Sequence, residues 1–198
     1  MDALTRGLLP TLLHGLGNCT QLISGFSALL EMPGGDEMLE GRASDLGRTG
    51  DEVQRLGWLL AALSSASGAE LMQTRRDPRG LAWMVDLVRD AARRSGRPLA
   101  PSGRTLPDVQ PSSPDGWRVP WAVGSLLWAA TQDSNGSSDL SWAILPYQGG
   151  WRCAVKGGET VGALLESLTA ALPGAEANQQ SCGATTLDLP AEWLKDGS

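Results

Sequence analysis

The sequence predicts an α+β protein, an N-terminal antiparallel helical hairpin followed by an α/β sandwich. Three observations carry this reading. Apolar residues recur at spacings of three and four through the first third of the chain. The remainder mixes helical periodicity with short alternating runs punctuated by Gly and Pro. The order of the segments, helices first and then helices interleaved with strands, places helices on one face of a small, mostly antiparallel sheet. With 198 residues, of which 41% are apolar, the chain is large enough to bury a substantial core.

The first helix is predicted from Thr5 or Leu8 to Glu31 on a heptad seam of Leu9, Leu12, Leu16, Cys19, Ile23, Phe26 and Leu30. Pro10 either begins its regular part or kinks it. Met32-Pro33-Gly34-Gly35 ends it, and Asp36 is placed to cap a second helix running to about Ser64. The seam of that helix is Leu39, Leu46, Val53, Leu56, Leu60 and Leu63, interrupted by Arg42 and Thr49. Two amphipathic helices on a short turn pack antiparallel. Leu8, Leu13, Leu22 and Leu29 widen the first apolar stripe, and Trp58 and Leu59 the second, so the hairpin cannot cover its own apolar faces. Either a second copy covers them, giving a four-helix bundle in a homodimer, or the second domain does. Residues 1–68 form the hairpin domain and 75–192 the sandwich, with a polar connection over Ser64 to Asp77.

In the second domain Leu81 to Ser95 reads as a helix with Leu81, Val85, Val88 and Ala91 on one stripe. Pro98 to Asp115 is a proline-rich loop with a short strand near Val109. Trp117 to Gln132 is helical through Val123, Leu126, Leu127 and Ala130. Asp139 to Tyr147 and Trp151 to Val155 are strands joined at Gln148-Gly149-Gly150, a hairpin signal. A helix over Thr160 to Leu172 and a strand over Ala184 to Leu189, closed by Pro190, complete the order.

Composition narrows the function. A net charge of −6 without a dense Lys/Arg run disfavours a nucleic-acid backbone. Arg75-Arg76, Arg79 and Arg93-Arg94 read as solvated surface. Cys19, Cys153 and Cys182 show neither metal-ligand spacing nor a disulfide framework, so no metal is predicted and a reduced, cytoplasmic protein is the simplest account. No apolar run reaches membrane-spanning length. Eight Trp against one Phe and one Tyr read as core and interface filling, since no basic groove for base stacking accompanies them.

The most informative residue is the sole histidine, His14, in Leu13-His14-Gly15-Leu16-Gly17-Asn18. Relative to the seam it points to the opposite face, with Asn18 one turn later and Gln21 beyond it. A solvated imidazole on a rigid helix is available as a nucleophile toward a phosphoryl group. Gly15, Asn18 and Gln21 are the candidate partner-binding residues around it.

His14-Gly15-Leu16-Gly17-Asn18, with the Leu- and small-residue-rich run Leu22 to Glu31, resembles the phosphoacceptor helix of bacterial histidine kinases. The later order of helix, loop, helix, strand pair, helix and final strand resembles the ATP-binding domain of that family, Gly183 to Pro190 matching its last strand. Departures from the family pattern shape what the resemblance implies. Where the family carries magnesium- and phosphate-holding Asn residues, the matches are Ser125 and Ala129, and Ala129 has no side-chain oxygen. At the Asp that reads the adenine amine, the match is Gly157, and between Val155 and Thr160 there is hardly room for a lid. Gly15 replaces the acid that follows the acceptor His. The chain therefore looks like the dimeric histidine phosphotransferases of bacterial phosphorelays, in which a degenerate ATPase-like domain is a scaffold. That resemblance implies no cofactor on this chain, magnesium on a partner receiver domain, and phosphoryl transfer through His14 between response-regulator receivers. The alternative is a catalytically inactive, kinase-like adaptor that binds a histidine kinase or a response regulator without phosphotransfer.

Overall fold

The computed structural model describes residues 2–66, 77–100, 105–110, 117–133, 140–156, 162–179 and 184–196. The first helix, α1 (Ala3–Leu30), starts where Asp2 accepts a hydrogen bond from the Thr5 N–H at 2.6 Å, satisfying one of the donors a helix start leaves open. Pro10 lies inside α1 rather than at its start. The helix ends in a tight tip. Gly34 takes a left-handed backbone (φ 76°), and a Cβ on Gly35 would overlap the Leu29 carbonyl, so only glycine lets the chain reverse here.

Beyond the tip the second helix is not continuous. It comprises a short α2 (Gly35–Glu40) and a long α3 (Ala43–Ala66). Asp36 lies in the first turn of α2, whose N-cap is Gly34. The break falls at Gly41, a poor helix former, where the Arg42 N–H turns back to the Leu39 carbonyl at 2.8 Å and tightens the chain before α3 begins.

The second part contains α4 (Gly80–Arg94), β1 (Asp108–Val109), α5 (Arg118–Asp133), β2 (Ser141–Tyr147), β3 (Gly150–Lys156), α6 (Gly162–Ala171), β4 (Glu176–Gln179), β5 (Ala184–Leu189) and β6 (Leu194–Lys195). The main sheet has the order β2-β3-β5-β4, all neighbours antiparallel, with Ile144 opposite Cys153 and Cys153 opposite Leu187. The β2–β3 turn places Gln148 at φ 46° and Gly149 at φ 79°, the two positive values that let a two-residue hairpin follow the strand twist. Two strands lie outside the sequence expectation. Glu176–Gln179 carries no strand signal and is recruited by its ladder to β5, while β6 pairs with β1 in a separate two-stranded sheet. Trp142, Ile144, Cys153, Val155, Leu187 and Leu189 are buried on the sheet.

The core does not stop at the hairpin. Leu4, Leu8 and Leu12 of α1 and Leu56, Leu59 and Leu63 of α3 belong to the same buried cluster as Leu81, Met84 and Val88 of α4 and Val123, Leu126 and Leu127 of α5. The α/β part thus covers one end of the hairpin, and the other end, toward the tip, projects from it.

The heptad seam divides into two sets. Leu12, Cys19 and Phe26 of α1 and Thr49, Leu56 and Leu63 of α3 are buried. The alternate seam positions, Ile23 and Leu30 of α1 and Leu46, Val53 and Leu60 of α3, are exposed, as is Leu13 beside them. At about 100° per residue the exposed set is rotated the same way from the buried set on both helices. Because the helices are antiparallel, that common rotation brings both exposed rows to one side of the hairpin.

Candidate functional site

His14, Asn18 and Gln21 are exposed on α1. His14 lies roughly 160° around the helix from the exposed seam row, so a molecule seated on that row leaves the imidazole open. Among the described residues no hydrogen bond or ion pair engages its ring, and its two nitrogens are left to solvent. Gly15 is turned differently. It is half-buried, and a Cβ there would lie 3.1 Å from Leu56 Cδ1, so its smallness lets α3 approach α1 one residue from the imidazole.

On the side opposite the exposed rows, α1 and α3 frame an open groove of about 850 Å³. Asn18, Gln21 and Leu22 form its α1 wall, and Arg48, Thr49 and Glu52 face them from α3. The α3 wall is organised by its own contacts. Arg48 pairs with Asp45, Arg55 pairs with Glu52 at 2.7 Å, and the Thr49 hydroxyl donates to the Asp45 carbonyl at 2.8 Å. That last bond lets a hydroxyl be buried at a seam position, because a polar group taken from water needs a partner. Cys19 lies on the groove floor. Burial, and next the charge of Glu52, push its thiol pKa up, which disfavours the reactive thiolate. Sequence reasoning placed the partner-binding residues on α1 alone. The wall opposite α1 was signalled only by the two interruptions of the seam, Arg42 just before α3 and Thr49 within it, which both line the groove.

The positions matched to a nucleotide site are held in the α/β part, away from His14 along the chain. Ser125 is buried within α5 and Ala129 is half-buried one turn later. Gly157 lies outside the described residues, as do Cys182, Arg75 and Arg76. Of the remaining arginines singled out by sequence, Arg79 pairs with Asp77 at 3.0 Å and stacks 4.6 Å from the Trp83 ring, while Arg93 stays exposed near Asp90. Among the described residues no group of three or more His, Cys, Asp or Glu gathers to hold a metal ion. Among them, too, no helix is long and apolar enough to cross a membrane. No family model matches the sequence, and no curated protein matches it.

Proposed function

We propose that this chain is a cytoplasmic, homodimeric histidine phosphotransferase of a two-component phosphorelay, accepting a phosphoryl group on His14 from the aspartyl-phosphate of one receiver domain and passing it to the Asp of another. The observation that carries this reading is a sole histidine, exposed and without a side-chain partner, held on a 28-residue helix beside a groove. The reaction asks little more of the protein. Phosphoryl transfer passes through a loose transition state, so positioning and charge neutralisation dominate. A neutral imidazole nitrogen attacks phosphorus, the N–P bond forms as the acyl-phosphate O–P bond breaks, and the Asp carboxylate leaves with the bonding pair. The other ring N–H then releases its proton to water. The receiver supplies the magnesium. Asn18 and Gln21, with Gly15 behind them, form the contact surface around the acceptor.

Incubation with a receiver domain carrying a labelled phosphoryl group tests the reading. Label moves to the wild-type chain and none to His14→Ala, with no second histidine to confuse the result. If the receiver binds yet its label never moves, and His14→Gln retains the cellular activity, the chain is a binding adaptor and the phosphotransferase reading fails.

A further inference from the structure

The tip of the hairpin carries charge of one sign and exposed apolar side chains. From Gly7 to Gly41 the chain holds no Lys or Arg, yet Glu31, Asp36, Glu37 and Glu40 fall within this stretch, all four exposed. Among the described residues none of the four enters an ion pair. Asp36 and Glu37 lie in the first turn of α2, where the backbone dipole favours an acid. Glu31 and Glu40 have no such reason. Glu31 caps the C-terminal end of α1, Glu40 is the last residue of α2, and neither helix has a basic residue in its last turn. A helix C-terminus carries the negative end of the dipole and favours a cation. The exposed seam row ends at Leu30 and Leu46, and past it Met32 and Met38 are 54% and 53% exposed. The turn holds both methionines close to it, since the Gly35 N–H donates to the Met32 carbonyl at 3.0 Å and the Met38 N–H to the Gly34 carbonyl at 3.3 Å.

We propose that the hairpin tip docks a basic amphipathic helix of another protein, which lays its apolar side on Met32 and Met38 and sets its Lys or Arg residues against Glu31, Asp36, Glu37 and Glu40. Methionine is flexible and polarizable, so it adapts to an incoming apolar surface. Charge selects the occupant. Four carboxylates with no cation among them disfavour an acidic partner and attract a basic one. A Lys or Arg beside Glu31 and Glu40 also supplies the positive charge that the ends of α1 and α2 lack. Residues that oppose their local structure and gain nothing inside the fold mark a surface kept for function. The tip lies about 25 Å along α1 from His14, so a helix docked there leaves the imidazole open, and docking does not depend on phosphoryl chemistry.

Fluorescence anisotropy of a short labelled peptide of Leu and Lys, spaced so that Leu forms one side of a helix, tests the docking on the full-length chain. The peptide binds saturably at physiological salt, and added salt weakens it. A peptide of the same charge with Ser in place of Leu, and one with Glu in place of Lys, each bind at least about tenfold more weakly. In the chain, Met32→Gln with Met38→Gln lowers the affinity by about tenfold, and so does Glu31→Gln with Glu40→Gln, while both variants keep the circular dichroism of the wild type. Equal binding of the Ser peptide, or full affinity in the paired Met variant, shows only general attraction to an acidic chain and overturns the docking. A paired Met variant that loses self-association in sedimentation velocity gives the tip to a second copy and likewise overturns it. Glu31 has a check that needs no peptide. Glu31→Gln raises the urea midpoint, because it removes a charge that opposes the helix end, whereas a lowered midpoint means that the fold itself uses this carboxylate and the docking fails.

Discussion

Val53→Asp is the substitution that most directly tests self-association. Six side chains, Leu13, Ile23, Leu30, Leu46, Val53 and Leu60, are between 39% and 65% exposed on one side of the hairpin. Completing the burial of a Leu, Ile or Val that is half-exposed is worth about 1 kcal/mol, half of the roughly 1.5–3 kcal/mol for a full transfer. Over both copies of a two-fold bundle the row contributes about 12 kcal/mol. Association costs about 4–15 kcal/mol, so the dimer has little surplus. A carboxylate at position 53 forfeits the apolar gain and adds several kcal/mol of desolvation, on the order of 4 kcal/mol per ion. Two-fold symmetry places it in the interface twice, so with the apolar gain lost in each copy the total is about 10 kcal/mol, or about 10⁷-fold in Kd. In the single chain the same carboxylate stays in water, since Val53 is partly exposed, and the helices remain. Sedimentation velocity over a dilution series, with circular dichroism to certify the fold, reads both effects. A dimeric wild type and a folded, monomeric Val53→Asp are the expected pair. A wild type that is monomeric at the highest concentration, or a Val53→Asp dimer as tight as the wild type, refutes the assignment of this row to a second copy.

Gly80→Val overpacks a buried site, because a Cβ there would lie 2.5 Å from the Trp58 ring edge. It destabilises the chain by about 1–3 kcal/mol, read as a lower urea midpoint, and an unchanged midpoint contradicts the tight contact. Cys153 gives a pH dependence. Full burial pushes its thiol up to about 12, above its unfolded value, so the stability this group contributes is present below about pH 9 and is lost as pH rises from there toward the folded value. The slope is about 1.4 kcal/mol per pH unit for one proton. Denaturant unfolding from pH 8 to 10.5 shows the decline, which is shallower in Cys153→Ala, and equal slopes in the two proteins contradict the assignment.

Element identity was legible because its signals are local. The α1 and α5 stripes, the Gly34-Gly35 tip and the Gln148-Gly149 turn depend on periods of a few residues and on backbone conformations that glycine permits. The exposure of His14, Asn18 and Gln21 was legible for the same reason, since angle around a helix follows from spacing. Features set by a partner strand or a neighbouring helix were not. Glu176–Gln179 became a strand through the ladder of β5, and helix two broke at Gly41-Arg42 although its seam residues keep heptad spacing on either side.

What the sequence alone determined, then, is the mixed helix-and-sheet class, most of the helices and strands in their order, and one imidazole set against an apolar seam. Tertiary structure decided what each apolar row meets. It sent Leu12, Cys19 and Phe26 into the hairpin and left Ile23 and Leu30 outside, turned Gly15 toward Leu56, and laid Trp128 on Gly7. Periodicity states that a residue belongs to an apolar face, but only the packing of the whole chain supplies the surface that covers it.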